Sequence, residues 1–554
     1  MIASPATPFS TGREDAMQPR RGLLGLIVGV VAFGWSIVTP AAITDAQAPK
    51  RGGTLRVSYG NEIAHLDFYT APGYELNWVA MNIGCGLLGI TPDGKFVPDA
   101  AESWQISPDA LLYTFKLRKN VLFHDGTNVD AAAVKFSIDR IMDPATRSSM
   151  RTYYEPVHSV EVLDPYTVQI RLKQPYGFML HMLAAYRMGL VFYSPTATQK
   201  YTLEDRKSGR PEAVVGCGPF RLVEWVKGSH LVMDRFDKYY DQGFPYLDRV
   251  VIRVIKDPVT QMAAFKAGEI DFITDFSPEH VETLKAQNPR AQVMTGRETT
   301  PMVAMMKITV PKDAKPMAKD RAPHPIFNDI RVRKAIGCYG IDRKEIVKIA
   351  FKGQATPWVG IIPPGTPDTV DVTHLCPYDP AKAKALLAEA GYGPQKPLTF
   401  ELMTNTEKSV FHVIATVIKE QVARIGVTAN IKLVDKVSWM NVATQDGPFD
   451  MYVEDLASLF TLDQNTLLSS STAAWNTTRH TDAKVDDYYA RYAREMDPAK
   501  RKAIAKEFQE FMTDKLYWNT ISGSPFYEVA QPWMKDYVYN AEWKVLYKKV
   551  WLDR

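Results

Sequence analysis

The stretch that decides the fold runs from Leu398 to Val434 and reads LTFELMTNTEKSVFHVIATVIKEQVARIGVTANIKLV. Its opening, Leu398–Met403, reads as a strand. From roughly Glu407 to Ile425 the residues Phe411, Ile414, Ile418, Val422 and Ile425 recur at three- and four-residue steps, which puts them on one stripe of a helix. Gly426 ends that helix, and Val427–Val434 alternates as a second strand. A strand, an amphipathic helix and a strand in about 37 residues make a parallel crossover.

The same punctuation appears along the rest of the chain. Asp257-Pro258, Ser277-Pro278, Asp379-Pro380 and Asp497-Pro498 each set a capping side chain before a proline suited to a first helical turn. Gly268, the pair Asn288-Pro289, and Gly391 stop three of the helices that follow. Strands are read at Thr54–Tyr59, Leu112–Leu117 and Val168–Leu172. Pro311–Pro325 and Pro357–Pro367 read as long loops by their breakers.

The chain has 554 residues, 46% hydrophobic and 23% charged, enough for more than one core and unlike a disordered or disulfide-dense small protein. A net charge of +4 over that length gives no basic stripe, so nucleic acid is not an expected partner. Residues 1–48 read as an export leader: Arg20 and Arg21 precede an apolar run, Leu23–Val38, that falls short of the ~20 residues a spanning helix needs. Ala46 and Ala48 are the candidate cleavage points, and the rest is expected outside the cytoplasmic membrane, in the periplasm. There the four cysteines, Cys85, Cys217, Cys338 and Cys376, are free to oxidise in any of three pairings.

Catalytic and cofactor motifs are weak or false. Gly84-Cys-Gly86-Leu-Leu-Gly89 fits G-x-G-x-x-G in letters, but a turn follows it where a dinucleotide site needs a helix. There is no phosphate loop, no nucleophile elbow and no H-E-x-x-H. His124-Asp125-Gly126 reads as a turn rather than a metal ligand. No enzyme activity, cofactor or metal site is expected.

Several segments together resemble the extracellular solute-binding proteins of family 5, the oligopeptide-, dipeptide- and nickel-binding type. They are Leu87–Trp104 (LLGITPDGKFVPDAAESW), Phe123-His-Asp-Gly-Thr127 with Ala133–Ser137, Gly216-Cys-Gly-Pro-Phe220, Asn328–Ile336 with Ile341-Asp-Arg343, and Tyr378–Tyr392. They occur in the family's order and span nearly all of the chain after the leader. The resemblance implies an α/β, two-lobed periplasmic binding protein fold of type II, with hinged lobes and an extra inserted α+β domain near the N-terminus. Carried over, lobe I takes 50–85, 214–300 and 515–554, the inserted domain 86–213, and lobe II 301–514. Cys85 and Cys217 then both fall at domain crossings, which makes them a candidate disulfide.

The function implied is capture of an oligopeptide or related medium-sized organic solute, delivered to the permease subunits of an ABC importer driven by cytoplasmic ATPases. A monomer is expected. Alternatives are an exported hydrolase, or a sensory or chaperone-like binding protein on the same scaffold. In the peptide binders a strand of the second lobe pairs with the peptide, and an aspartate on it takes the ammonium group. The matching segment is Phe449–Asp463, which puts Asp455 and Ala457 on the pairing strand and Leu459 where that aspartate is expected. An apolar residue cannot compensate a desolvated cation, so either Asp455 or Asp463 takes over, or the solute carries no charged amine. Tyr74, Trp475 and Asn476 are the other expected pocket residues. Met302, Met305 and Met306 are read as core.

Overall fold

The structure is a computed structural model that describes residues 48–554, apart from 71–74, 92–93, 185–188, 277, 297, 299, 313–319, 365, 367, 407, 445, 457–461, 463–468, 472, 474–475 and 539–545. The leader read over residues 1–48 lies outside the described residues but for Ala48.

Along the chain, β1 (Thr54–Tyr59) leads into helix α1 (Glu75–Ile83). Strands β2 (Ala101–Ile106), β3 (Leu112–Leu117), β4 (Val157–Asp164) and β5 (Thr167–Leu172) form an antiparallel sheet, backed by α2 (Ala131–Met142). Next come β6 (Phe220–Val226), β7 (His230–Arg235), β8 (Arg249–Val254), α3 (Pro258–Lys266), β9 (Phe272–Phe276), α4 (Pro278–Gln287) and β10 (Gln292–Thr295). The third stretch carries β11 (Thr300–Met306), α5 (Pro380–Glu389), β12 (Leu398–Asn405), α6 (Ser409–Ala423), β13 (Val427–Val434), α7 (Lys436–Thr444) and β14 (Met451–Asp455). Helices α8 (Ala483–Arg494) and α9 (Pro498–Lys515) precede β15 (Thr520–Ser524) and β16 (Tyr527–Ala530).

Two large sheets result. One has seven strands in the order β10-β16-β9-β1-β8-β7-β6, the other five in the order β13-β12-β14-β11-β15. The chain passes from one to the other twice, between β10 and β11 and between β15 and β16. The Leu398–Val434 crossover is present as read: β12 and β13 are parallel in unbroken register from Leu398↔Val427 to Asn405↔Val434. Gly426 turns the chain out of α6 at φ +85°, a conformation that costs a residue with a Cβ. Asp257, Asp379 and Asp497 cap their helices by accepting from the backbone N–H of Thr260, Lys382 and Lys500. Ser277 lies outside the described residues. Part of the loop read over Pro311–Pro325 is a short ribbon, Thr309–Pro311 with Arg321–Pro323, whose pairing no alternation announces.

Each large sheet is apolar on both faces, as a sheet covered by helices requires. In the five-stranded sheet Met302 and Met306 pack into one cluster with Leu402, Val453 and Phe411, while Met305 points to the other face with Met403, Tyr452 and Phe508. The three methionines are therefore core. Cys85 is bonded to Cys217, and Cys338 to Cys376. The first bond sits where backbones touch: a Cβ on Gly216 would lie 2.3 Å from the carbonyl oxygen of Ile83, so only glycine fits beside the bridge.

A crevice at the carboxyl ends of the parallel strands

In the five-stranded sheet β12 is parallel to both neighbours, β13 on one side and β14 on the other. The chain leaving β12 travels through α6 to β13. After β14 the chain next enters this sheet as β15, on the far side of β11 from β12. Connections that part in this way open a crevice at the carboxyl ends of the strands between them, where ligands of open α/β sheets bind. Here that crevice lies between the ends of β12 and β14. It adjoins the interlobe crossings, because Asp455 pairs with Met302, near the start of β11.

Four charged side chains mark it. Asp455 accepts from the Lys408 ammonium at 2.8 Å, and the two side chains keep 16% and 28% of their surface exposed. Glu454 is fully buried, accepts from Lys436 at 2.9 Å and also holds the Asn405 amide. The lysine ammonium groups lie over aromatic rings, Lys408 at 5.6 Å from the Phe526 centroid and Lys436 at 4.7 Å from that of Trp439. Phe526 belongs to the crossing between β15 and β16. The register of β12 with β14 ends at Thr404↔Val453, so the backbone of Glu454 and Asp455 lies beyond it, towards the crevice.

The facing sheet has the same geometry. β1 is parallel to β8 and β9, and α3 carries the chain from β8 across to β9 on the other side of β1. The end of β9 meets the start of β16 at Phe276↔Tyr527, so this carboxyl edge also adjoins the crossing. Under α1, on the face of Tyr59, lies a buried polar group. The Tyr59 and Trp78 rings meet at 4.1 Å, and Glu528 is buried close by, bonded to Tyr537. Burial pushes the Glu528 carboxyl up to about 8; the Tyr537 hydrogen bond pulls the other way, and the Asp275 charge adds to the rise. Glu528 Oε2, Trp78 Nε1 and the Tyr547 hydroxyl find no hydrogen-bond partner among the described residues.

Of the residues expected at the pocket, Asp455 stands at the crevice. Asn476 is buried and uses its amide within its own loop, donating to the carbonyls of Ser470 (3.3 Å) and His480 (2.8 Å). Tyr74, Ala457, Leu459, Asp463 and Trp475 lie outside the described residues. Lys408, Lys436 and Glu454 were not singled out from sequence. The signal was there: a lysine soon after each of two parallel strands, and an acid where β14 is otherwise apolar.

Arg343 is structural. It is buried and donates to the carbonyls of Thr520 and Gly337 and to Asn519, and burial brings its guanidinium down to about 10. His124 is half-buried, with its Nε2 at 3.1 Å from the Gly218 carbonyl. Among the described residues no three His, Cys, Asp or Glu side chains are grouped to hold a metal, and no helix is long and apolar enough to cross a membrane.

Comparison with known proteins gives a consistent result. Residues 95–479 match the model of the bacterial extracellular solute-binding proteins, family 5. The glutathione-binding protein GsiB of Escherichia coli (strain K12) is 30% identical over 500 residues, covering 88% of this chain and 92% of its own. The binding protein AgaA of A. tumefaciens R10, solved with agropinic acid, superposes with a TM-score of 0.76 at 27% identity, over 91% of this chain and 99% of its own. The oligopeptide-binding protein AppA of Bacillus subtilis, solved with a nonapeptide, superposes with a TM-score of 0.76 at 22% identity, over 91% and 100%. These are two-lobed periplasmic binding proteins, and the likeness extends over both large sheets. The chain belongs to the bacterial extracellular solute-binding proteins, family 5, the solute-capturing components of ABC importers.

Proposed function

We propose that this chain captures a peptide-like or related medium-sized organic solute in the periplasm and presents it to the permease subunits of an importer driven by cytoplasmic ATPases. The observation that carries the reading is the strand order, in which each large sheet has a strand parallel to both neighbours and a carboxyl edge beside the segments that cross between the sheets. A solute held by both edges binds a closed arrangement better than an open one and shifts the population towards it. Relatives whose names specify glutathione or a nonapeptide support a peptide-like solute.

In this reading lobe I comprises 50–85, 214–300 and 515–554, the inserted domain 86–213, and lobe II 301–514. The make-up of the seven-stranded sheet supports it, with strands from 54–59, 220–295 and 527–530; β15, although it follows residue 515, lies in the five-stranded sheet. The leader is removed near Ala46 or Ala48 and the mature protein is a monomer. Tyr74, Asp455, Ala457, Leu459, Asp463, Trp475 and Asn476 line or shape the solute site. The solute leaves unchanged; the protein performs no reaction.

A thermal-shift screen of the mature protein against di- to nonapeptides, glutathione and other small organic acids tests this. A true solute at a hundredfold excess over its Kd stabilises by about 2.7 kcal/mol, a shift of several degrees. Turnover of a stabilising solute would favour the hydrolase reading, and a screen without any stabiliser would remove the peptide-like class.

A further inference from the structure

We infer that the described carboxylates at this crevice, Asp455 and Glu454, are reserved for the protein's own lysines, so that the solute taken here has its amine absent or acylated. The inference rests on the solute-binding reading above and specifies its substrate class. Asp455 is the described carboxylate best placed to meet an incoming ammonium group, and Lys408 already sits on it at 2.8 Å. Its neighbour Glu454 is buried and holds Lys436 at 2.9 Å. Among the described residues the two carboxylates are thus each paired with a lysine before any solute enters.

A second cation brought to Asp455 must displace the Lys408 ammonium or sit beside it. Like charges about 4 Å apart repel strongly where water is partly excluded. Displacement costs the existing pair, and it moves the Lys408 ammonium off the Phe526 ring. Building repulsion against one class of ligand is a recognised route to specificity. A lysine ammonium offers donors and no acceptor, so what this wall recognises on a solute is a carbonyl or carboxylate oxygen. The solute class is therefore neutral or anionic at this point, with an amide or carboxylate where a free peptide carries its ammonium.

The test is calorimetric titration of the mature protein with matched probes: di- to tetrapeptides and glutathione, each with a free amine and each N-acetylated. In the native sequence the acetylated form is expected to bind at least as tightly as its free-amine twin. In Lys408→Met, which vacates Asp455, the free-amine forms should gain tenfold or more relative to the acetylated forms. Lys408→Gln keeps the length and a hydrogen bond while losing the charge, and must move the ratio in the same direction, which guards against a misfolded first variant. Free-amine peptides binding the native protein more than tenfold tighter than their acetylated twins would overturn the inference and leave the solute-binding reading standing. So would a ratio unmoved by either variant. If neither form binds the native protein or the variants, the peptide-like solute falls, and this inference with it.

Discussion

Glu528 gives the sharpest energetic prediction. It lies in the seven-stranded sheet, buried, with one carboxyl oxygen unpartnered among the described residues and its ionisation pushed from the ordinary 4.5 up to about 8. At 1.36 kcal/mol per pH unit, ionising it in place costs about 5 kcal/mol. The folded state therefore holds a proton that the unfolded chain releases near 4.5. Stability from this group is complete below that value and is lost as pH rises through about 8. Between pH 6 and pH 9 the loss amounts to about 2–3 kcal/mol. Glu528→Gln keeps the shape and cannot ionise. Urea unfolding at a series of pH values should show the native protein losing that amount relative to the variant over this interval, with the two curves parallel below pH 4. Curves parallel across the whole range would refute the reasoning, because they would mean that the carboxyl is no more perturbed folded than unfolded.

Three further outcomes follow from other sites. Asp67 is buried and accepts from Arg140 at 2.6 Å, Arg206 at 3.1 Å and the backbone of Tyr69 and Thr70; burial pushes its carboxyl up, and the two arginines outweigh that and hold it below the ordinary range. Asp67→Asn should cost about 3–5 kcal/mol at pH 7 by stranding two buried guanidinium groups, and the deficit seen in denaturant unfolding should shrink as acid protonates the native carboxylate. His480 is buried and stacked on Tyr517 at 4.3 Å, and burial brings it down to about 4. Its contribution is present above pH 6.5 and lost as pH falls towards 4, so His480→Gln should flatten the acid limb of the stability curve by about 3 kcal/mol. Cys85→Ala with Cys217→Ala opens a bridge spanning 132 residues and should lower stability by about 2–5 kcal/mol in calorimetry. A change below about 1 kcal/mol would mean that the glycine-lined contact beside the bridge holds without it.

What the sequence disclosed was set by how local the physics is. The β12–α6–β13 crossover was legible because its helix is long, its stripe regular and its ends marked by breakers. The aspartate–proline caps were legible because a cap is decided within four residues. The Cys85–Cys217 pairing came only through the resemblance, since nothing near either cysteine points to the other. The crevice was legible in part. Asp455 was found by position on a strand, but its partner Lys408 belongs to a different strand end, and the sheet order that brings them together is not written in either segment. Glu528 gave no sign at all: an acid between aromatic and apolar neighbours looks like an edge-strand residue until its burial is known.

The central claim is that a small organic solute sits between two lobes and leaves as it came. Native mass spectrometry of the protein extracted gently from the periplasm of its own host tests that most directly. The account predicts one bound small molecule per chain, released intact on denaturation and able to rebind the same protein one to one. A chain that carries nothing and binds nothing from the host's growth medium, or that releases a chemically altered product, would contradict it.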